Sequence, residues 1–385
     1  GSRYRIPNGL EKFRDRLIDA FPGDAEPLRG YFEIVMAIGR ELDRMPKTIG
    51  LRDLATAPFR LSRLLKYRTW TLGRLYESLG MPPRLRTILA GQSGDYLLPP
   101  GEVSLLLHVA LVRAYDRGAY YPEKHYVHFI ESVASYLRSR PGCELRLETE
   151  VESILTDGKR VTGVRTTRGE TLRAARYVSN VDPRRTAALL GAQGWQRKLS
   201  YAYSSGNITL YLGIRDIDLR DYGFGSYNVW HYPHDDIDSI YERQLVSRDF
   251  SEPWLFMSTP TLHTTAPGLC PDGHQILELA TSADHAWFKA LRDRDRRAYN
   301  AEKKRLRERM LAVVERDYVP ELRRHLAIQV MGTPATNERF CAAPLGNAYG
   351  SALTPRNVSR RVPSETPFRN LWLANATAGF PALSS

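Results

Sequence analysis

Of the nine histidines in this chain, only His125 and His128 are near neighbours. At i, i+3 the two rings could share a helix face, but zinc needs further ligands and none follows at a usable spacing, so no metal site is expected. Cys143, Cys270 and Cys341 lie far apart, with neither metal-ligand spacing nor the even count of a disulfide framework, and are expected to be reduced, buried thiols. No Ser-His-Asp arrangement and no paired carboxylates at a telling spacing stand out, so no side chain presents itself as acid, base or nucleophile. Gly223-Phe224-Gly225 lacks the third glycine and the following helix pattern of a dinucleotide fingerprint and reads as a turn. The closing stretch "RNLWLANATAGFPALSS" poses a sharper question. Leu371-Trp372-Leu373-Ala374 alternates like a strand and runs into a tight turn of small residues, Asn375-Ala376-Thr377-Ala378-Gly379. Such a unit usually hands over to a helix.

The elements that must position these residues are set by composition and periodicity. At 385 residues the chain can bury a large core and suggests two structural lobes. A mean hydropathy of −0.40 and the lack of a long uncharged apolar run argue against a transmembrane helix. Gly1-Ser2 reads as a tag scar with no leader after it, and the expected location is cytoplasmic with peripheral membrane attachment. The formal net charge of +12 implies attraction to anionic surfaces, or simply a solvated basic face. The densest basic cluster, Phe59 to Leu79, interleaves Arg60, Arg63, Lys66, Arg68 and Arg74 with Leu61, Leu64, Leu65, Trp70, Leu72 and Leu75, as an interfacial amphipathic helix does. No RNA or DNA module accompanies it, so an anionic membrane is the expected partner rather than nucleic acid.

Residues Arg3 to about Tyr120 place apolar residues at i, i+3, i+4 and i+7 and read as helical. From Cys143 the period changes to two. Leu145 and Leu147 alternate, Asp157-Gly158 and Arg168-Gly169 make turns, and Val161 to Thr166 pairs back, which predicts a three-stranded meander. A helix is predicted from Pro183 to Leu190 with Asp182 as N-cap. Strands are expected at "NITLYLGI", "WLFMSTPT" and "HQILELATS". A long amphipathic helix follows, with Met310, Leu311, Val313 and Val314 as its stripe. The tail from Ala327 reads as alternating short strands and turns.

Several of these features recur in one order. Tyr121-Pro122, the helix from Val127 to Leu137, Gly142, Val151 and Ser179-Asn180-Val181-Asp182 follow one another without a gap. In the tail come Thr333-Pro334, Arg339-Phe340, Gly346 and Tyr349-Gly350, and "FPGDAEPLRGYF" opens the chain. This succession resembles the flavin-dependent phytoene desaturases, carotenoid isomerases and retinol saturases, within the wider flavin amine oxidase superfamily. The resemblance spans about Ile6 to Gly379.

It implies an α/β fold, mixed α+β: a helical plus β-sheet substrate lobe with remnants of a Rossmann-like FAD domain. The corresponding division is 3–140 helical and substrate- or membrane-facing, 141–190 a meander of FAD-domain type, 191–330 a mixed-sheet substrate region, and 331–385 C-terminal FAD-domain strands. Such enzymes begin with a strand, G-x-G-x-x-G and a helix that hold the FAD pyrophosphate. None is present in this sequence, so the expectation is that this half lies upstream of residue 3 or is absent. The family's residue roles imply that Val151 contacts adenine through its backbone and that Tyr349, Gly350, Asn375, Ala376, Thr377 and Gly379 border the flavin. Three departures are visible: Lys124-His125 stands where the family carries Gly-Gly, Asn375 replaces a glycine, and Gly379-Phe380-Pro381 only approximates a Pro-Gly segment. The implied function is an FAD-dependent desaturase, saturase or isomerase acting on a polyene, isoprenoid or other lipid-like substrate. The alternatives are a flavin amine oxidase and a non-catalytic lipid-binding protein derived from the family.

Overall fold

Leu10, Phe13 and Leu17 recur at helical spacing, so one side of α1 (Leu10–Ala20) is apolar and closes on α2 (Ala25–Asp43) at Leu28, Tyr31, Phe32, Val35 and Ile38. The structure, a computed structural model, describes residues 3–45 and 51–379. The helical lobe continues through α3 (Leu51–Arg60), α4 (Ser62–Tyr67), α5 (Leu72–Ser78), α6 (Pro83–Leu89) and α7 (Leu105–Asp116). The basic Phe59–Leu79 segment is therefore not one continuous helix. It breaks after Arg60 and again before Thr71, whose side chain caps α5 by accepting the Arg74 N–H. Leu64, Tyr67, Leu72, Leu75 and Tyr76 are buried in the lobe's core, because the surrounding helices cover that stripe. Phe59, 88% exposed, and Leu65 are its large apolar residues that stay outside. None of the described helices is long and apolar enough to cross a membrane.

Next comes α8 (His125–Ser139), whose Val127, Phe129, Ile130 and Val133 are open to solvent. The meander follows as expected: β1 (Val151–Asp157), β2 (Arg160–Thr166) and β3 (Thr171–Leu172), antiparallel in that order. Residues 143–149 depart from their alternating pattern, forming no strand and leaving Leu147 69% exposed, since no neighbouring strand among the described residues pairs with them. The short β4 (Tyr177–Ser179) leads into α9 (Pro183–Leu189), where Asp182 accepts the N–H groups of Arg184 and Arg185, and then into α10 (Gln193–Gln196). Asn370 ties the meander to the tail: its amide oxygen accepts the Val161 N–H at 2.9 Å, and its NH2 donates to the carbonyls of Val161 and Ala175.

A five-stranded antiparallel sheet forms the rest of the frame, built from β5 (Gly206–Arg215), β6 (Val229–His231), β7 (Leu255–Ser258), β8 (His274–Ala283) and β9 (Leu326–Gly332) in the order β6-β7-β8-β5-β9. Between these strands run α11 (Ile237–Leu245), α12 (Pro260–His263), α13 (His285–Arg294) and α14 (Arg296–Asp317). Leu210, Leu212, Leu277 and Leu279 pack on Phe288, Leu306 and Met310 of α13 and α14. Alternation then sends Tyr211, Glu278 and Val330, which face one another across β8, β5 and β9, to the opposite side.

The tail contains two helices that its turn-rich composition concealed, α15 (Pro334–Cys341) and α16 (Pro355–Ser359), before β10 (Leu371–Leu373). Each begins at a Thr-Pro pair, in which threonine caps and proline fills the first helical position. The cysteines differ from expectation: Cys143 and Cys341 are exposed, one in the loop after α8 and one at the end of α15, and Cys270 is half-buried with its thiol on the His274 carbonyl. All three are free.

Candidate functional site

The closing strand and its turn are fixed from both sides. β10 runs parallel to β4, with Leu371, Trp372 and Leu373 opposite Tyr177, Val178 and Ser179. Beyond the pair, the Asn180 side chain donates to the Ala374 carbonyl and the Asn375 NH2 donates to the Val181 carbonyl at 2.9 Å. The Asn375 oxygen accepts the N–H groups of both Thr377 and Ala378 at 3.0 Å. A residue that stands where the family has glycine thus folds the turn through its own side chain.

Tyr349-Gly350 packs directly against this turn. Gly350 has φ +72, and a Cβ there would lie 2.5 Å from the Thr377 hydroxyl and 3.0 Å from the Ala376 carbonyl carbon. The Ser351 N–H donates to Thr377 Oγ1, the Gly350 N–H to Asn347 Oδ1 and the Tyr349 N–H to Ser204 Oγ. Gly379 closes the far side by donating its N–H to the Val362 carbonyl. Tyr349, Gly350, Ala376, Thr377 and Gly379 therefore form one constellation with Asn375 as its organiser. Val151 stands apart, half-buried at the start of β1 opposite Thr166, at the other end of the meander from the Asn370 clamp. Phe380 and Pro381 lie outside the described residues.

As a holder of FAD, the constellation fits the flavin ring end. The turn from Ala376 to Gly379 carries only small side chains, while the N–H groups of Gly350, Ser351, Thr377, Ala378 and Gly379 are all engaged within the protein. It makes a rigid, low wall for a flat ring rather than a donor nest for phosphates.

At the Lys124-His125 departure the backbone keeps the conformation that suits glycine. His125 has φ 69, and its ring lies 3.3 Å from the Tyr121 hydroxyl and 3.2 Å from the Ala266 carbonyl. A side chain in that region costs on the order of 1–2 kcal/mol, here offset by burial of the imidazole.

On the Tyr349 side, this wall meets the outward face of the five-stranded sheet. Trp230 and Phe256 turn that face onto the helical core, and Trp230 packs so tightly on Gly94 that a Cβ there would lie 2.1 Å from its ring. Further along, Tyr211, Ile328 and Val330 are open, 47%, 61% and 53% exposed, and Glu278 sits among them. Burial holds the Glu278 carboxyl above the usual carboxylate range. Tyr211 stands opposite it on β5, and burial first and then the Glu278 charge raise the Tyr211 hydroxyl. The Tyr349 hydroxyl is pushed up to about 12, by burial first and then by Asp95 and Glu278.

Behind Tyr349 lies a buried polar group of the helical lobe. The Tyr115 hydroxyl donates to Asp95 Oδ2 at 2.8 Å, and burial lifts the Asp95 carboxyl to about 6. His108 is held between the Tyr31 and Tyr96 hydroxyls at 2.6 and 2.8 Å, and burial takes its imidazole down to about 3. Sequence reasoning passed over Asp95, His108 and Glu278. Glu278 carried one signal, being the sole acid or base between His274 and Ala283. The groove along α1 and α2, lined by Arg14, Asp19, Arg29, Glu33 and Arg40, is charged and shares no residue with either turn.

No family model matches the chain. Across 96% of its length it is 24% identical to the all-trans-retinol 13,14-reductase of Danio rerio, and it spans 65% of that relative. It is 25% identical over its whole length to the lycopene-forming phytoene desaturase of Pseudescherichia vulneris, spanning 78% of that protein. Over 54% of the chain it is 23% identical to the chloroplastic prolycopene isomerase of Daucus carota, spanning 32% of it. Among solved structures, an oxidoreductase from Methanosarcina mazei superposes with a TM-score of 0.58 at 16% identity, over 88% of this chain and 73% of its own. A putrescine oxidase superposes at 0.54 and 12% identity, over 98% of this chain and 72% of its own, a likeness of fold alone. With the ordered motifs, these relatives give the chain its likeness to phytoene desaturases, carotenoid isomerases and retinol saturases, at 25% identity or less.

Proposed function

We propose that the chain serves an FAD-dependent oxidoreductase that desaturates, saturates or isomerises a polyene, isoprenoid or similar lipid-like substrate. The observation that carries this is a juxtaposition: Tyr349 links a closed turn of small residues to an open, largely apolar sheet face. When bound, FAD would supply the exchange of two electrons with the substrate. Tyr349, Gly350 and the Asn375–Gly379 turn would wall the flavin ring, and Val151 would meet the adenine end through its backbone. Ile328 and Val330 would bear the hydrocarbon, exclude water and orient it toward that wall.

Adding FAD to the purified protein is expected to give a shifted, structured flavin absorption band that collapses to the free-flavin spectrum on denaturation. A spectrum equal to the sum of protein and free FAD would refute cofactor binding by these residues and favour the lipid-binding alternative.

Peripheral attachment to an anionic membrane is supported by exposed Phe59 and Leu65 beside Arg60, Lys66, Arg68 and Arg74. The protein is expected to float with phosphatidylserine vesicles at low salt and to remain behind with neutral ones. Sedimentation away from both vesicle types would remove the membrane from this reading.

A further inference from the structure

The two halves of the candidate flavin wall meet directly at Gly350 and Thr377 and are joined a second time through a knot of side chains. The Asn375–Gly379 turn hangs on the corner after β4, where the Ser179 carbonyl accepts the Ala374 N–H and the Val181 carbonyl accepts the Asn375 NH2, both at 2.9 Å. The Tyr349–Gly350 half hangs on the segment 199–205. There the Gly350 carbonyl accepts the Ser204 N–H at 2.8 Å, the Ala352 N–H donates to the Ala202 carbonyl, and Tyr203 bridges antiparallel to Ser351. Corner and segment are closed on one another by Asp182, Arg184, Tyr201 and Tyr203. The Tyr203 hydroxyl donates to Asp182 Oδ1 at 2.9 Å and the Tyr201 hydroxyl to Asp182 Oδ2 at 3.2 Å. The Arg184 guanidinium lies over both rings, 4.2 Å from the Tyr201 centroid and 5.0 Å from that of Tyr203, and donates to the carbonyls of Leu199 and Tyr201. The two rings meet edge to face at 5.2 Å, and Tyr201 shares a small core with Leu373 of β10 and Ala378 of the turn.

We propose that Arg184 is a positioning residue of the flavin wall, the cross-tie that holds the Tyr349–Gly350 segment in register with the Asn375–Gly379 turn. This rests on the flavin reading above and adds the group that keeps the wall's two halves together. The tie matters because the direct contact is thin. Among the described residues the halves share one hydrogen bond, from the Ser351 N–H to Thr377 Oγ1 at 3.2 Å, beside the close approach at Gly350. A planar guanidinium can stack on an aromatic face and still aim N–H groups sideways at two carbonyls. An ammonium keeps the attraction to the rings but is a point charge without that fork, so lysine replaces arginine only in part. Arg184 acts through Tyr201 and Tyr203, and its place is behind the wall rather than in the chemistry.

Amide hydrogen exchange, followed in peptides covering 347–352 and 374–379, tests the tie on the protein alone. Arg184→Leu is expected to speed exchange in both peptides about tenfold or more, while a peptide from β5 keeps its protection. Arg184→Lys should restore part of what Arg184→Leu loses. Tyr203→Phe keeps the ring under the guanidinium and deletes only the bond to Asp182. It should act in the same direction to a smaller degree, and it carries the test if Arg184→Leu does not fold. With FAD added, Arg184→Leu should weaken binding about tenfold, read from the flavin absorbance shift, with Arg184→Lys in between. Unchanged exchange in the two peptides, an equal rise in the β5 peptide, or protection no better in Arg184→Lys than in Arg184→Leu would each overturn the tie. A wild-type protein that leaves the FAD spectrum unshifted would instead overturn the cofactor reading, and the exchange result would still decide the tie.

Discussion

Gly350→Ala will destabilise the protein by roughly 2–5 kcal/mol, the sum of about 1–2 for a side chain in the left-handed region and about 1–3 for overpacking. The new Cβ would lie 2.5 Å from Thr377 Oγ1 and 3.0 Å from the backbone of Ala376 and Thr377. The Thr377 hydroxyl is held by the Ser351 N–H, and the Thr377 and Ala378 N–H groups by Asn375, so none of them can retreat without opening the turn. Urea denaturation measures the loss, with Gly158→Ala as the companion variant. Gly158 also has positive φ, at 53, yet nothing lies within 4 Å of its would-be Cβ. It should therefore cost only the conformational part, about 1–2 kcal/mol. Equal losses in the two variants would mean that the Gly350 turn does not press on the Asn375–Gly379 turn. If the constellation holds the flavin, Gly350→Ala also weakens FAD binding, whereas Gly158→Ala leaves it unchanged.

Asp95→Asn will stabilise the protein at pH 8 and lose that advantage at pH 4. In the folded chain the Asp95 carboxyl is lifted to about 6 by burial, against an unfolded value of about 4. The folded state therefore keeps a proton that the unfolded chain gives up, and stability from this group is full below pH 4 and declines as pH rises through 6. Two pH units correspond to about 3 kcal/mol, which sets the expected gain of the amide above pH 6. Asparagine retains an oxygen to accept the Tyr115 hydroxyl, so the hydrogen bond is preserved. His108 acts in the opposite sense: held neutral down to about 3, it withdraws stability as pH falls below about 6.5, where the unfolded imidazole takes a proton. In the wild type the two dependences largely offset one another between pH 6 and 4. The variant should lose stability more steeply toward acid, as the His108 contribution is unmasked. Denaturant midpoints for both proteins across this range measure the difference, and parallel curves would show that folding leaves the Asp95 carboxyl unshifted.

Local elements were legible in the sequence because their signals are local. The two glycine turns of the meander, the Asp182 cap, the stripe of the long helix and the alternation of "NITLYLGI" each occupy a few consecutive residues and follow from backbone conformation and period. The order of weak motifs along the chain was legible for the same reason and carried the resemblance to flavin-dependent desaturases and saturases. What failed was longer in range. Phe59–Leu79 has the composition of an interfacial helix, but composition does not reveal that α2 and α7 cover its apolar stripe. Leu145 and Leu147 alternate like a strand, yet a strand exists only beside a partner. The tail helices were hidden because Thr-Pro starts were outweighed by the turn residues around them.

The candidate site divides along the same line. Its small residues and its closing turn could be named from sequence, since tight turns demand particular residue types. Only the tertiary structure decided that Gly350 touches Thr377, that Asn375 organises the turn, and that Glu278 stands opposite Tyr211 across two strands. These contacts join residues from distant parts of the chain through strand register and core packing. Register inverts every side chain when it slips by one residue, so no inspection of a single strand reveals which groups will face each other across three.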